Sequence, residues 1–252
     1  MILVTNDDGI HAPGLAALAN ALQQITRTVI IAPEQDSSAA SYSLTMRRPL
    51  RVRELSSDRY AIDGTPTDCV TIGVAKILHR RPDLVVSGIN PGANLGDDIS
   101  YSGTVSAAVE ATMLGIPSFA VSLAAIESEE YQTAAAFAGK LARMILAQGL
   151  PDDTLLNVNV PGGAARLIKG IRLTRQARRS YEDSIMETTD PWGRRHYWIG
   201  GGTVSWDSGE SSDSQAVAAG HISITPLHLD RTNYGALQTL STTWLRQLNE
   251  SA

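Results

Sequence analysis

The feature that most constrains this chain is an alternation, through its first two thirds, of short continuous apolar runs with amphipathic stretches. The runs are 2–5 (ILVT), 28–33 (TVIIAP), 83–88 (DLVVSG), 118–123 (SFAVSL) and 155–161 (LLNVNVP). Helical patterns lie between most of them, at 13–25, 68–79, 104–114 and 129–147; in the first, Leu15, Leu18, Leu22 and Ile25 fall on one face. Pro13 suits a first helical turn, where a missing N–H is not needed. Strands apolar on both sides must be covered on both sides. The pattern therefore predicts an α/β fold with a doubly wound, mostly parallel, Rossmann-like sheet.

After about Gly162 the alternation fails. Residues 168–175 (IKGIRLTR) and 221–227 (HISITPL) read as strands, 234–248 as a helix, and 175–214 as a polar stretch studded with aromatic residues. We expect one domain over 1–252, with a β-rich C-terminal appendage at about 168–230. A chain of 252 residues, 43% of them hydrophobic, can bury a core of that size.

Composition excludes some partners. A formal net charge of -5 lacks the basic face that a nucleic-acid polymer requires. The first residues show neither a basic region nor a long apolar one, and no later run approaches membrane-spanning length, so the expected setting is cytoplasmic, without a membrane partner. The single cysteine, Cys69, rules out an intrachain disulfide, fits a reducing compartment and reads most simply as a small buried apolar residue.

Parallel sheets bind ligands at the carboxyl ends of their strands, which gives the polar segments a common address. The first is NDDG, residues 6–9, directly after the first strand. It reads either as a polar turn leading into a helix or as two carboxylates offered to a divalent cation. The second, SGINPGANLGDD (87–98), sets three glycines and two asparagines at G-x-N-x-G-x-N-x-G spacing. That is a backbone folded beside a ligand, or a long turn in which Asn90 and Asn94 bond their own main chain. It carries neither G-x-G-x-x-G nor G-K-[ST], so neither a dinucleotide fold nor a P-loop has motif support. The third, YSGTVSAA, puts Ser102, Gly103, Thr104 and Ser106 at a helix N-terminus, where an anion is favoured and where Ser102 also serves as a plain cap.

Taken together, NDDG-x-x-A-x-G (6–14), AP followed by Ser38 and Ser41, GTPTDC (64–69), SGINPGANLG, YSGTVSAA and ITPL (224–227) resemble the SurE survival-protein family of metal-dependent nucleotidases. The matches run in order along the chain from Ile2 to about Leu240. The resemblance implies one divalent metal ion per subunit, Mg²⁺ or Mn²⁺, held by Asp7, Asp8, Ser38 and Asn90, with Asp7 and Asp8 as the catalytic acids. It also implies a phosphate and substrate cradle of Asn94, Ser102, Gly103, Thr104 and Ser106. The implied reaction is hydrolysis of nucleoside 5′- and 3′-monophosphates to nucleoside and phosphate, with exopolyphosphatase as a side activity. An all-oxygen set with two carboxylates suits such a hard cation.

The chain departs from the family at Ala39, where glycine is common, and at Asn233, where an acid is common. His11 reads as an acid or base near the ligands or as an exposed loop residue. Two other functions compete. A phosphatase with Asp7 as covalent nucleophile normally needs D-x-D, and a noncatalytic nucleotide-binding module would bind without releasing phosphate. Residues 176–214 combine Tyr181, Trp192, Tyr197, Trp198 and Trp206 with Arg178, Arg179, Arg194 and Arg195. Such residues are enriched at interface centres, although aromatics folded back onto their own domain would look the same. The family implies an extended hairpin arm and exchanged C-terminal elements, hence a homodimer or homotetramer.

Overall fold

A computed structural model describes residues 1–38, 41–125, 130–182, 185–199, 203–206, 209 and 211–250. In chain order its elements are β1 (Ile2–Thr5), α1 (Pro13–Gln23), β2 (Thr28–Pro33), β3 (Val52–Ser56), β4 (Arg59–Ile62), α2 (Pro66–Ile72), β5 (Leu84–Pro91), α3 (Gly103–Met113), β6 (Ser118–Ala124), α4 (Gln132–Gln148), β7 (Thr154–Pro161) and β8 (Ile171–Leu173). There follow β9 (Arg179–Glu182), β10 (Ile185–Thr189), β11 (Arg195–Ile199), β12 (Thr203–Trp206), α5 (Asp213–Ala218), β13 (Ile222–His228) and α6 (Tyr234–Glu250).

One nine-stranded sheet runs in the order β3-β4-β2-β1-β5-β6-β7-β13-β8. Strands β4 to β7 in that order are parallel, whereas β3 is antiparallel to β4 and β13 antiparallel to β7. Successive side chains of a strand point to opposite faces. Ile2 and Val4 accordingly pack with Leu15, Leu18 and Leu22 of α1 and Ala138 and Ala142 of α4. Leu3, with Val29 and Ile31, packs on the other face against Val70 of α2 and Ala107 of α3. Burying one such leucine or isoleucine is worth about 1.5–3 kcal/mol, which is why the strands read as unbroken apolar runs. From β1 the chain moves one way to β2 and, through β5, the other way to β6 and β7. The end of β1 beside β5 is thus the switch point of the sheet, where such folds open a crevice.

Local chemistry shifts several expected boundaries. The helix expected at 68–79 begins at Pro66, because Thr65 and Asp68 form a capping box. It ends at Ile72, and Gly73–Ile77 continues as a π turn. Strand β5 extends through Pro91, so the SGINP part of the glycine-rich motif is strand rather than loop. The hairpin β3–β4 was not foreshadowed, since VRELS is exposed along its whole length and lacks an apolar face. Of 168–175 only Ile171–Leu173 is strand, and the β-rich segment contains a helix, α5, capped by Ser212. Residue 129, the expected start of α4, lies outside the described residues, as does Ala39.

Within 176–214 the expected hairpin is present as a nested ribbon. Strand β9 pairs antiparallel with β12, and β10 with β11. Asp190 closes its tip by accepting from the N–H groups of Trp192 and Arg194, both at 2.9 Å. Ile185, Met186, Trp192, Tyr197, Trp198 and Ile199 along the ribbon are exposed. Among the described residues no helix is long and apolar enough to cross a membrane.

Candidate active site

The NDDG loop leaves β1 at the switch point. Asn6 bends it by donating from Nδ2 to the Gly9 carbonyl at 3.1 Å, and the Asp7 carbonyl accepts from Ser37 N–H at 2.8 Å, which joins this loop to the one after β2. Asp7 is buried and Asp8 half-buried. Burial pushes the Asp7 carboxyl up, against the lowering effect of its hydrogen bonds, including those from Thr104. Burial first, then the charges of Asp7 and Asp36, pushes Asp8 up to about 7. Oδ2 of Asp8 is shielded from solvent and finds no hydrogen-bond partner among the described residues. Two acids held out of water, one with an orphaned oxygen, form an arrangement that a cation would relieve.

Ser38 is exposed on the loop after β2, oriented by a residue the motifs did not single out. Its N–H and Oγ both donate to Oδ1 of Asp36, at 2.7 and 2.5 Å. The far end of the same loop is held by Asp68, which accepts from Thr45 N–H and Oγ1 at 2.9 and 2.7 Å and from Thr65 N–H at 2.9 Å. The GTPTDC motif is therefore a brace for the Ser38 loop. Asn90, half-buried at the end of β5, donates from Nδ2 to Gly92 O at 2.8 Å, which turns its carbonyl oxygen into the acceptor it can offer. Among the described residues no group of three or more His, Cys, Asp or Glu side chains gathers as a metal site, so an ion here would draw on neutral oxygens as well as the two acids.

Of the remaining predicted residues, Gly103 and Thr104 meet Asp7, whereas the contacts of Ser102 and Ser106 lie within the first turn of α3 and those of Asn94 lie on β6 and β7. Ser102 caps α3, accepting from Val105 N–H at 3.1 Å, and Ser106 donates back to the Ser102 carbonyl at 2.6 Å. Thr104 donates its hydroxyl to Oδ1 of Asp7, and Gly103 lies directly against the same carboxylate. The anion facing the N-terminus of α3 in this structure is Asp7. Asn94 is buried above the ends of β6 and β7, its side chain donating to Ser122 Oγ at 2.8 Å. His11 is exposed.

Asp36, Asn157 and Asn159 are supporting residues of the site that motif reading missed, and Ser122 was placed by its position at a strand end without a role. A signal existed for the asparagines: two polar residues inside the strand LLNVNVP. Asp213, also missed, is buried and pushed up by that burial; it ties Gly96 N–H, at 2.9 Å, to the base of the ribbon at Ala177 N–H, 3.1 Å. Gln176 and Arg179 strengthen the tie, donating to Gly96 O and from N–H to Asp97 Oδ2, both at 2.8 Å. Asn233, where an acid was common, caps α6 by accepting from Ala236 N–H at 2.9 Å, a task asparagine performs as well as aspartate.

Comparison with known proteins places this arrangement. The family model described as "Survival protein SurE" matches residues 2–183. A protein of Pelobacter propionicus named 5′-nucleotidase SurE is 52% identical over 245 residues, covering 97% of this chain and 99% of that one. Another of that name, from Syntrophotalea carbinolica, is 54% identical over 243 residues and 96% of each chain. The crystal structure of the SurE protein from Aquifex aeolicus superposes with a TM-score of 0.86 at 42% identity, over 96% of this chain and 98% of that one. With its acid pair at the switch point and its matches spanning nearly the full length, the chain belongs to the SurE family.

Proposed function

We propose that this chain is a metal-dependent 5′-nucleotidase, hydrolysing nucleoside 5′-monophosphates to nucleoside and phosphate, with 3′-monophosphates and short polyphosphate as further substrates. The observation that carries the reading is the pair Asp7 and Asp8, both pushed up by burial, with Oδ2 of Asp8 unpartnered among the described residues. Asp7, Asp8, Ser38 and Asn90 would hold one Mg²⁺ or Mn²⁺, and every donor in that set is a hard oxygen. Such an ion polarises a phosphoryl oxygen and makes bound water nucleophilic near neutral pH. Asn94, Ser102 and Gly103 receive the phosphate. Thr104 and Ser106 act from behind them, Thr104 by fixing Asp7 and Ser106 by bracing the first turn of α3.

The working assembly in this reading is a homodimer or homotetramer in the cytoplasm, where the buried free thiol of Cys69 is at home. Its support is α6, in which Leu237, Leu240, Trp244 and Leu248 make an exposed apolar row. A cavity of about 950 Å³ lined by Tyr42, Ile99, Val109, Leu155, Leu227 and Leu229 offers a second copy a matching surface. The exposed aromatic ribbon supplies a further contact.

The test is release of inorganic phosphate from AMP or GMP. We expect release with Mn²⁺, none with EDTA, and none from Asp7→Asn or Asp8→Asn. Binding without release would make the chain a nucleotide-binding module instead.

A further inference from the structure

Strand β7 carries two asparagines, Asn157 and Asn159, that are entirely buried in the sheet between β6 and β13. Being two apart, they share a face, and β6 presents Ser122 directly opposite Asn159. Buried amides in a strand that is otherwise apolar are costly unless their hydrogen bonds are made. Both spend them on one residue of the glycine-rich loop. Asn159 accepts from Asn94 N–H at 2.8 Å and donates to Asn94 O at 2.9 Å, gripping that residue at both ends as a neighbouring strand would. Asn157 donates to the same carbonyl at 2.8 Å, and Ser122 Oγ accepts from the Asn94 side chain at 2.8 Å. The remaining amide oxygen, Oδ1 of Asn157, is buried without a partner among the described residues.

We infer that Asn157, Asn159 and Ser122 are positioning residues that hold Asn94 in the one orientation in which its side chain meets the substrate phosphate. The inference rests on Asn94 belonging to the phosphate cradle. At position 159 a carboxamide supplies a donor and an acceptor on separate atoms, so one side chain reaches both the N–H and the C=O of residue 94; serine is too short to span both, aspartate loses the donor and puts a charge in the sheet, and an apolar residue loses both. Asn157 and Asn159 grip the main chain of residue 94 and Ser122 its side chain, so the clamp's effect on substrate passes through that side chain. Replacing the clamp should therefore matter little once the Asn94 side chain is gone.

A double-mutant cycle reads this directly. Asn94→Ala and Asn159→Ser should each raise KM for AMP and the inhibition constant of inorganic phosphate about tenfold, as expected for a lost phosphate contact. The double variant should be no worse than the worse single, and the Mn²⁺ concentration for half-activation should stay within about twofold in all three. Ser122→Ala, a small change that preserves packing, should move KM in the same direction and be equally non-additive with Asn94→Ala. A folded Asn159→Ser or Ser122→Ala enzyme with unchanged KM and phosphate inhibition overturns the clamp, and so do additive effects in the double variants. An unaffected Asn94→Ala enzyme overturns the cradle assignment, and the clamp's role falls with it.

Discussion

The α-carbon of Gly103 approaches Asp7 so closely that a Cβ built there would stand 2.8 Å from the Asp7 Cβ and 2.9 Å from its Oδ2. Real side chains essentially never meet at that distance, and Asp7 is also held by Thr104, so it has little room to yield. We predict that Gly103→Ala folds, by circular dichroism, and loses metal-dependent hydrolysis more than tenfold, with the Mn²⁺ midpoint shifted upward. Wild-type Mn²⁺ dependence in that variant would mean Asp7 is not displaced. Gly103→Val should be worse in the same sense.

Thr104→Val keeps the shape of the side chain and removes the hydroxyl that Asp7 accepts from. Hydrogen bonds to a charged group are worth about 1.5–3 kcal/mol, so the Mn²⁺ concentration for half-activation should rise by about tenfold or more. Thr104→Ser should recover most of it. A Thr104→Val enzyme with wild-type Mn²⁺ dependence, or a Thr104→Ser enzyme as impaired as Thr104→Val, would show that the hydroxyl is not what holds Asp7.

Metal-free protein should be less stable at neutral than at mildly acidic pH because of Asp8. Its carboxyl ordinarily titrates near 3.8 and sits at about 7 when folded, so across that window the folded chain holds a proton that the unfolded chain has released. The sign follows: this contribution to stability is greatest below the window and falls as pH rises through it. Thermal melts in EDTA from pH 5 to 7.5 should show a decline that Asp8→Asn flattens and saturating Mn²⁺ offsets. A decline undiminished in Asp8→Asn would assign it to other groups.

Shortening the ribbon by replacing 185–199 with a Gly/Ser turn leaves its anchored base intact. Light scattering should report a smaller assembly while Mn²⁺-dependent phosphate release persists. An unchanged mass would remove the ribbon from the interface.

The parallel strands were legible because burial on both faces demands unbroken apolar runs, and the acid pair because it follows such a run at once. The edge hairpin β3–β4 was not, since its first strand is wholly exposed and has no pattern to show. Thr104 illustrates a subtler gap. Its place at a helix start was plain, yet its hydroxyl serves a carboxylate 97 positions away in the chain, and no local spacing reports that. Asn159 shows the same gap: its polarity inside an apolar strand was visible, but its partner is a main chain 65 positions away. Asp36 differs, since its partner Ser38 is two residues on, and nothing set it apart from other polar residues of an exposed loop.

The ribbon leaves and re-enters the fold at one place. Arg179 and Trp206 are paired across its base, the guanidinium lies 5.6 Å from the indole centroid, and Asp98 pairs with the same arginine. Just behind, Gly96 takes a left-handed φ of 51°, and a Cβ there would strike Trp206 at 2.6 Å. What lies between 179 and 206 is therefore a closed excursion whose length the sheet does not sense. It is a natural splice point: a reporter domain inserted at the 190–194 tip would ride outward on the ribbon, and lineages would be free to lengthen or trim this segment without redrawing the glycine-rich loop at its foot.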